Sequence, residues 1–206
     1  MIHLPLDINT FNFVEREKYD GKFVKYKCGR DFLYYAFHFF LPDVFNQYLN
    51  NPEEIERKRL FGRPVPVLCA WTQIQFYSVP AILKKHNLNL RINKKEINTF
   101  FDFVTAILFS KIKYNEAVYL MEKSIASRTV VGMDIALRFS GLEDHVMFVY
   151  GYDSEYWYIF DTHAVDGLGY EKMMEGEKYY MRISRDEVQR RWKRFSRVWE
   201  VSKLHI

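Results

Sequence analysis

A cysteine, a histidine and an aspartate in this sequence have the types and the order that nucleophilic catalysis needs. Cys28 stands in Lys27-Cys28-Gly29-Arg30-Asp31 and is followed by the apolar run Phe32-Leu33-Tyr34-Tyr35-Ala36-Phe37. That pattern places a thiol on the first turn of a buried helix. The partial positive charge and free N–H donors of a helix start favour a thiolate there. His145 opens His145-Val146-Met147-Phe148-Val149-Tyr150-Gly151-Tyr152-Asp153, and Asp161 closes Tyr158-Ile159-Phe160-Asp161. Both segments read as strands. A hairpin turning at Asp153-Ser154-Glu155 brings the start of the first beside the end of the second. His145 would then take the thiol proton and later give it to a leaving group, while Asp161 would orient the ring and fix its tautomer.

Each of these residues also has a plainer reading. Cys28 would be a buried structural cysteine, His145 a polar residue at a strand edge, and Asp161 a strand-ending residue in a turn with Thr162. Cys69, in Val67-Leu68-Cys69-Ala70-Trp71, also lies near a helix start and is the rival nucleophile, although its apolar neighbours favour an inert, packed thiol. His163 is an alternative base. His38, among phenylalanines, reads as a core histidine, and Trp71, Trp157, Trp192 and Trp199 as core or groove-lining residues.

The elements that must position these groups change character along the chain. A helix is expected from Cys28 to Leu41, apolar nearly all round and stopped by Pro42. Asn51-Pro52-Glu53-Glu54 starts a short charged helix ending near Phe61-Gly62, and Pro66 to Tyr77 reads as a second apolar helix. Pro80 restarts a piece to about His86, Asn93-Lys94-Lys95-Glu96 resembles a capping box for a helix through Phe109, and Asn115 caps another through about Ser127. Strands are then expected at Thr129–Leu137, His145–Tyr152, Tyr156–Asp161, Tyr179–Ile183 and Arg197–Val201. Ser184-Arg185-Asp186-Glu187 reads as a capping box opening a basic helix that ends near Arg194. Helices first and an antiparallel sheet second is an α+β order. The expectation is one domain over 1–206, with 42–128 an elaborated helical region.

Composition narrows the function classes. The chain has 206 residues, 49% apolar and 18% aromatic, enough for a substantial core. A net charge of +4 is mild, so nucleic acid is not an expected partner. Arg182, Arg185, Arg190, Arg191, Lys193, Arg194 and Arg197 do crowd together. They read either as the solvated face of an amphipathic helix or as a patch for an acidic ligand. Two cysteines form no disulfide framework and fit a reducing compartment. With no signal-peptide pattern and no apolar run long enough to span a membrane, a cytoplasmic location is expected. The sequence holds no CxxC, HExxH, Walker loop or GxGxxG, so no metal or cofactor is expected.

The segment 129–161 resembles the papain-like cysteine peptidases of the C39-like group. The likeness rests on Val130-Val131-Gly132-Met133-Asp134, on a histidine opening a strand that ends in Gly151-Tyr152-Asp153, and on a following strand ending in Asp161. Cys28-Gly29 at a helix start matches the group's nucleophile motif, and Ile183 to Val188 with Trp192 is similar to its closing helix. Leu60-Phe61-Gly62 after the cysteine helix is similar to the papain-like acyltransferase domain of butirosin biosynthesis. The resemblance implies a papain-like α+β fold, with an N-terminal helical half carrying the buried cysteine helix packed on a C-terminal antiparallel sheet. It implies a Cys28-His145-Asp161 triad working through an acyl-enzyme on a peptide or acyl substrate in the groove between the halves, or an inactive relative that binds a peptide there. Papain-like enzymes usually place a Gln before the cysteine. Lys22 stands at that place before Cys28 and Arg63 before Cys69, and Thr162 follows Asp161 where the C39 group often has Pro.

Overall fold

Beyond Ser127 the chain is rich in β-branched and aromatic residues broken by short polar turns, a composition that suits a pleated sheet buried on its faces. A computed structural model describes residues 2–4, 28–50, 79–136, 144–161, 168–173 and 180–204. Its strands are β1 (Ile2–His3), β2 (Leu88–Ile92), β3 (Lys95–Glu96), β4 (Val130–Ala136), β5 (Asp144–Tyr152), β6 (Tyr156–Phe160), β7 (Glu171–Lys172), β8 (Tyr180–Ser184) and β9 (Arg197–Lys203). They form one antiparallel sheet in the order β3-β2-β9-β4-β5-β6-β8-β7, with β1 paired to the far end of β5. The helices are α1 (Cys28–Phe40), α2 (Pro42–Asn50), α3 (Val79–Lys85), α4 (Phe100–Phe109), α5 (Tyr114–Ala126) and α6 (Arg185–Arg191). The α+β class expected from the order of elements is the one observed.

Helix α1 lies on the sheet through its aromatic residues. Phe32 meets the edge of Trp199 at 5.9 Å, and Tyr35 stacks on Phe148 at 5.2 Å and edge-on to Phe160 at 5.1 Å. Register pairs Gly132 with both Phe148 and Trp199, so these residues share one face. A Cβ at Gly132 would fall 2.9 Å from the Phe32 ring. This close approach of helix to strand is what requires the glycine. The opposite face carries Glu200, which accepts from Ser124 Oγ of α5 at 2.5 Å. The sheet therefore has α1 on one side and α5 on the other, and each fully buried large apolar side chain contributes about 1.5–3 kcal/mol relative to exposure.

The elements differ from expectation in instructive places. Pro42 ends α1 and also begins α2, because a proline at the first helical position gives up an N–H that would be unpaired anyway. Asn93-Lys94 caps no helix. Both residues have positive φ (49° and 72°) and make the tight turn of the β2–β3 hairpin. The Asn93 side chain then bonds Ser110 O and accepts from Val198 N, each at 2.9 Å, tying the turn to α4 and β9. The capping box belongs instead to Thr99 and Asp102, which open α4. The region 42–128 is thus not wholly helical, and the sheet is not wholly C-terminal, since β1, β2 and β3 join it. Ser184 does cap α6 by accepting from Glu187 N, but Glu187 turns its carboxylate to Arg190 and Arg191 rather than back to the cap, and α6 stops at Arg191 rather than near Arg194. The helices expected in 51–77 lie outside the described residues.

Candidate active site

Cys28 is the first residue of α1, buried at 6% exposure, with no disulfide partner. Its backbone N–H belongs to the first turn, where helix N–H groups have no partner within the helix. His145 is the second residue of β5, opposite Ile135 of β4. Asp161 leaves β6 one residue after the Phe148–Phe160 pair. The hairpin through Asp153 works as expected, and Asp153 itself accepts from the backbone N–H groups of Glu155 and Tyr156 at 2.8 Å each, which fixes the turn.

The three side chains meet. His145 Nε2–H donates to Asp161 Oδ2 at 2.8 Å, and both residues are 3% exposed. Cys28 lies close enough to the same imidazole to act on its charge. With Nε2 engaged by the carboxylate, Nδ1 is the ring nitrogen left for sulfur. Burial works against charge on His145, but the Asp161 carboxylate beside it, its hydrogen bond and then Cys28 prevail, and the pKa is held well above the usual 6.5. A histidine that keeps its proton beside a cysteine is equipped to act as a general acid toward a leaving group.

A fourth residue reaches this chain. Tyr170 lies in the 168–173 segment, and its hydroxyl is 2.9 Å from Asp161 Oδ2 and 2.9 Å from Met147 Sδ. It has one proton to donate, and a carboxylate is a far stronger acceptor than a thioether. Burial and the Asp161 charge push the Tyr170 pKa well above 10, so it remains a donor. Gly169, at φ +73°, turns the chain immediately before it, and a Cβ there would sit 3.3 Å from Glu187 Cγ. No motif marks Tyr170 in the sequence; the neighbouring Gly169 is the sole local signal of a special backbone.

The other expected residues are dispersed. Cys69, His163, Trp71, Lys22, Arg63 and Thr162 lie outside the described residues. His38 is ten residues beyond Cys28 on α1, roughly 15 Å along the axis, with its ring against Phe45. Trp157 and Trp199 are core residues, and Trp192 Nε1 donates to Ile112 O at 3.0 Å. Most of the basic cluster is paired within the fold. Arg182 pairs with Glu171, Arg185 with Glu122, and Arg190 and Arg191 with Glu187, while Arg197 is buried and donates to Ile107 O. Most of its charge is thus spoken for within the fold.

Among the described residues no group of three or more His, Cys, Asp or Glu side chains is arranged to hold a metal ion, and no helix is long and apolar enough to cross a membrane. Neither family models, nor curated proteins, nor solved structures match this chain. The functional reading therefore rests on the geometry of the site.

Proposed function

We propose that this protein is a papain-like cysteine hydrolase acting on a peptide or amide carbonyl through a Cys28-His145-Asp161 triad. The observation that carries the reading is the buried His145–Asp161 pair, with buried Cys28 at the start of α1 close enough to act on the imidazole. A structural cysteine needs no such partners. The free thiol suits a reducing compartment such as the cytoplasm.

In the proposed reaction the Cys28 thiolate attacks the carbonyl carbon and a C–S bond forms. The oxyanion is met by the backbone N–H of Cys28 at the start of α1, since neither Lys22 nor Arg63 is the usual glutamine. The His145 imidazolium gives its proton to the leaving nitrogen as the C–N bond breaks, leaving an acyl-enzyme. Water then attacks with His145 as base, and the acid departs as the thiol is restored. An amine in place of water makes the same intermediate serve acyl transfer.

The test is a burst experiment with p-nitrophenyl acetate followed by intact-mass and peptide mass spectrometry. The expected result is a stoichiometric burst with one acetyl group on Cys28, absent from Cys28→Ser and slowed roughly 10²–10⁴-fold in His145→Ala. Addition of an amine distinguishes transfer from hydrolysis by the product formed. Acetylation confined to Cys69 moves the nucleophile, and no burst on either cysteine leaves a peptide-binding module as the better account.

A further inference from the structure

The carboxylate at the base of the chain is itself held from behind, and that arrangement goes beyond the three residues. Asp161 Oδ2 accepts from His145 Nε2 and lies 2.9 Å from the Tyr170 hydroxyl, so both donors converge on one oxygen. Asp161 is 3% exposed. A carboxylate so enclosed keeps its charge only where donors replace the water it lost. We propose that Tyr170 is a positioning residue for the triad, its hydroxyl keeping Asp161 ionised and turned toward His145. The inference rests on the catalytic reading of that triad.

The surroundings favour this role. The groups facing the pair come from several elements: Cys28 of α1, His145 and Met147 of β5, and Arg191 of α6. Arg191 is buried and its Nε donates to Glu187 Oε1 at 2.5 Å, so its positive charge is largely balanced. Arg191 nonetheless acts on Tyr170 through its charge, which brings α6 into the electrostatics of the site. The Met147 sulfur offers no competing charge. Gly169 sets the backbone that aims the ring, where a side chain would press on Glu187. Removal of the hydroxyl alone takes one charge-assisted bond from the ionised carboxylate. Asp161 is then protonated at higher pH, and the imidazolium loses its counter-charge sooner as pH falls.

The experiment is the rate of iodoacetamide alkylation of Cys28 against pH, read by peptide mass spectrometry so that Cys69 is followed separately. Unsubstituted protein, Tyr170→Phe, His145→Ala, Asp161→Ala and the Tyr170→Phe/Asp161→Ala double variant are compared, with circular dichroism checking each fold. The expected result is an acid limb that Tyr170→Phe moves upward by about one pH unit, and no further movement when the same change is made in Asp161→Ala. Superimposable profiles for Tyr170→Phe and unsubstituted protein, with His145→Ala reverting to an ordinary thiol, overturn the positioning role and leave the triad standing. An equal shift in the Asp161→Ala background overturns it too, because the hydroxyl then acts by another route. An ordinary thiol profile in the unsubstituted protein, indifferent to His145→Ala, overturns the catalytic reading and this inference together.

Discussion

Two buried polar groups share the sheet, and they have different consequences. At the start of β5, His145 and Asp161 lie under a thiol and beside the Tyr170 hydroxyl. On β4 and β9, Asp134 stands opposite Arg197, and Glu200 accepts from Ser124 with Arg91 3.8 Å away. The second group is as deeply enclosed as the first, with Asp134 at 0% and Arg197 and Glu200 at 1% exposure. Burial of charge is therefore not what marks a reactive site. The first group has a nucleophile and an imidazole that can hold and release a proton; the second has neither, and its partners bind strands to helices.

The sharpest way to break this contrast is at Cys28. Cys28→Ser should abolish acyl-enzyme formation while unfolding in denaturant changes by less than about 1.5 kcal/mol, and retained turnover would sink the assignment. The converse experiment is Arg197→Met. Leaving the buried Ile107 carbonyl without the guanidinium should cost about 1–3 kcal/mol of stability, measured by urea unfolding, with the pH profile of Cys28 alkylation unchanged in the folded fraction.

Gly132→Ala connects the two groups by packing. A methyl 2.9 Å from Phe32 must push α1 from the sheet, at a cost of about 1–3 kcal/mol, and since Cys28 opens that helix its alkylation at pH 6 should slow as well. Normal reactivity in a destabilised variant would show that the helix start is held independently.

A subtler distinction is the pH dependence of stability. His145 has its folded pKa raised above the unfolded 6.5. Its contribution is therefore complete below about pH 6.5 and is lost as pH rises through the folded value. Unsubstituted protein minus His145→Ala, followed by urea unfolding at several pH values, should show that decline; a difference growing with pH would mean the ring is neutral in the fold. Smallest of all is Arg190→Ala. Its pairing with Glu187 is exposed on the arginine side, and a change of about 0.5 kcal/mol or less is expected by thermal unfolding.

Much of the fold was legible because its signals are local. An apolar run after Cys28 makes a buried helix, and apolar strands punctuated by Asp153-Ser154-Glu155 make a hairpin, so the approach of His145 and Asp161 followed from turn and register. The β2–β3 hairpin was not legible in this way. Asn93-Lys94-Lys95-Glu96 satisfies a capping pattern, and the competing outcome depends on β9, a strand a hundred residues away in the chain, offering Val198 N to the Asn93 side chain. The partners of the arginines were not legible for a similar reason: charge spacing along a chain says nothing about the acids that the fold brings to Arg182, Arg185 and Arg191.

The sequence by itself determined the α+β class, the helix that begins at Cys28 and the hairpin carrying His145 and Asp161, because propensity, periodicity and turn chemistry act over a few residues. Only the tertiary structure decided that a thiol on α1 reaches the ring on β5, that Tyr170 closes the chain behind Asp161, and that Glu200 and Arg197 are buried partners of helices. Those contacts join segments far apart in the chain. Their energies come from desolvation and from matched donors and acceptors, which exist only once the sheet and its two helical layers have closed around them.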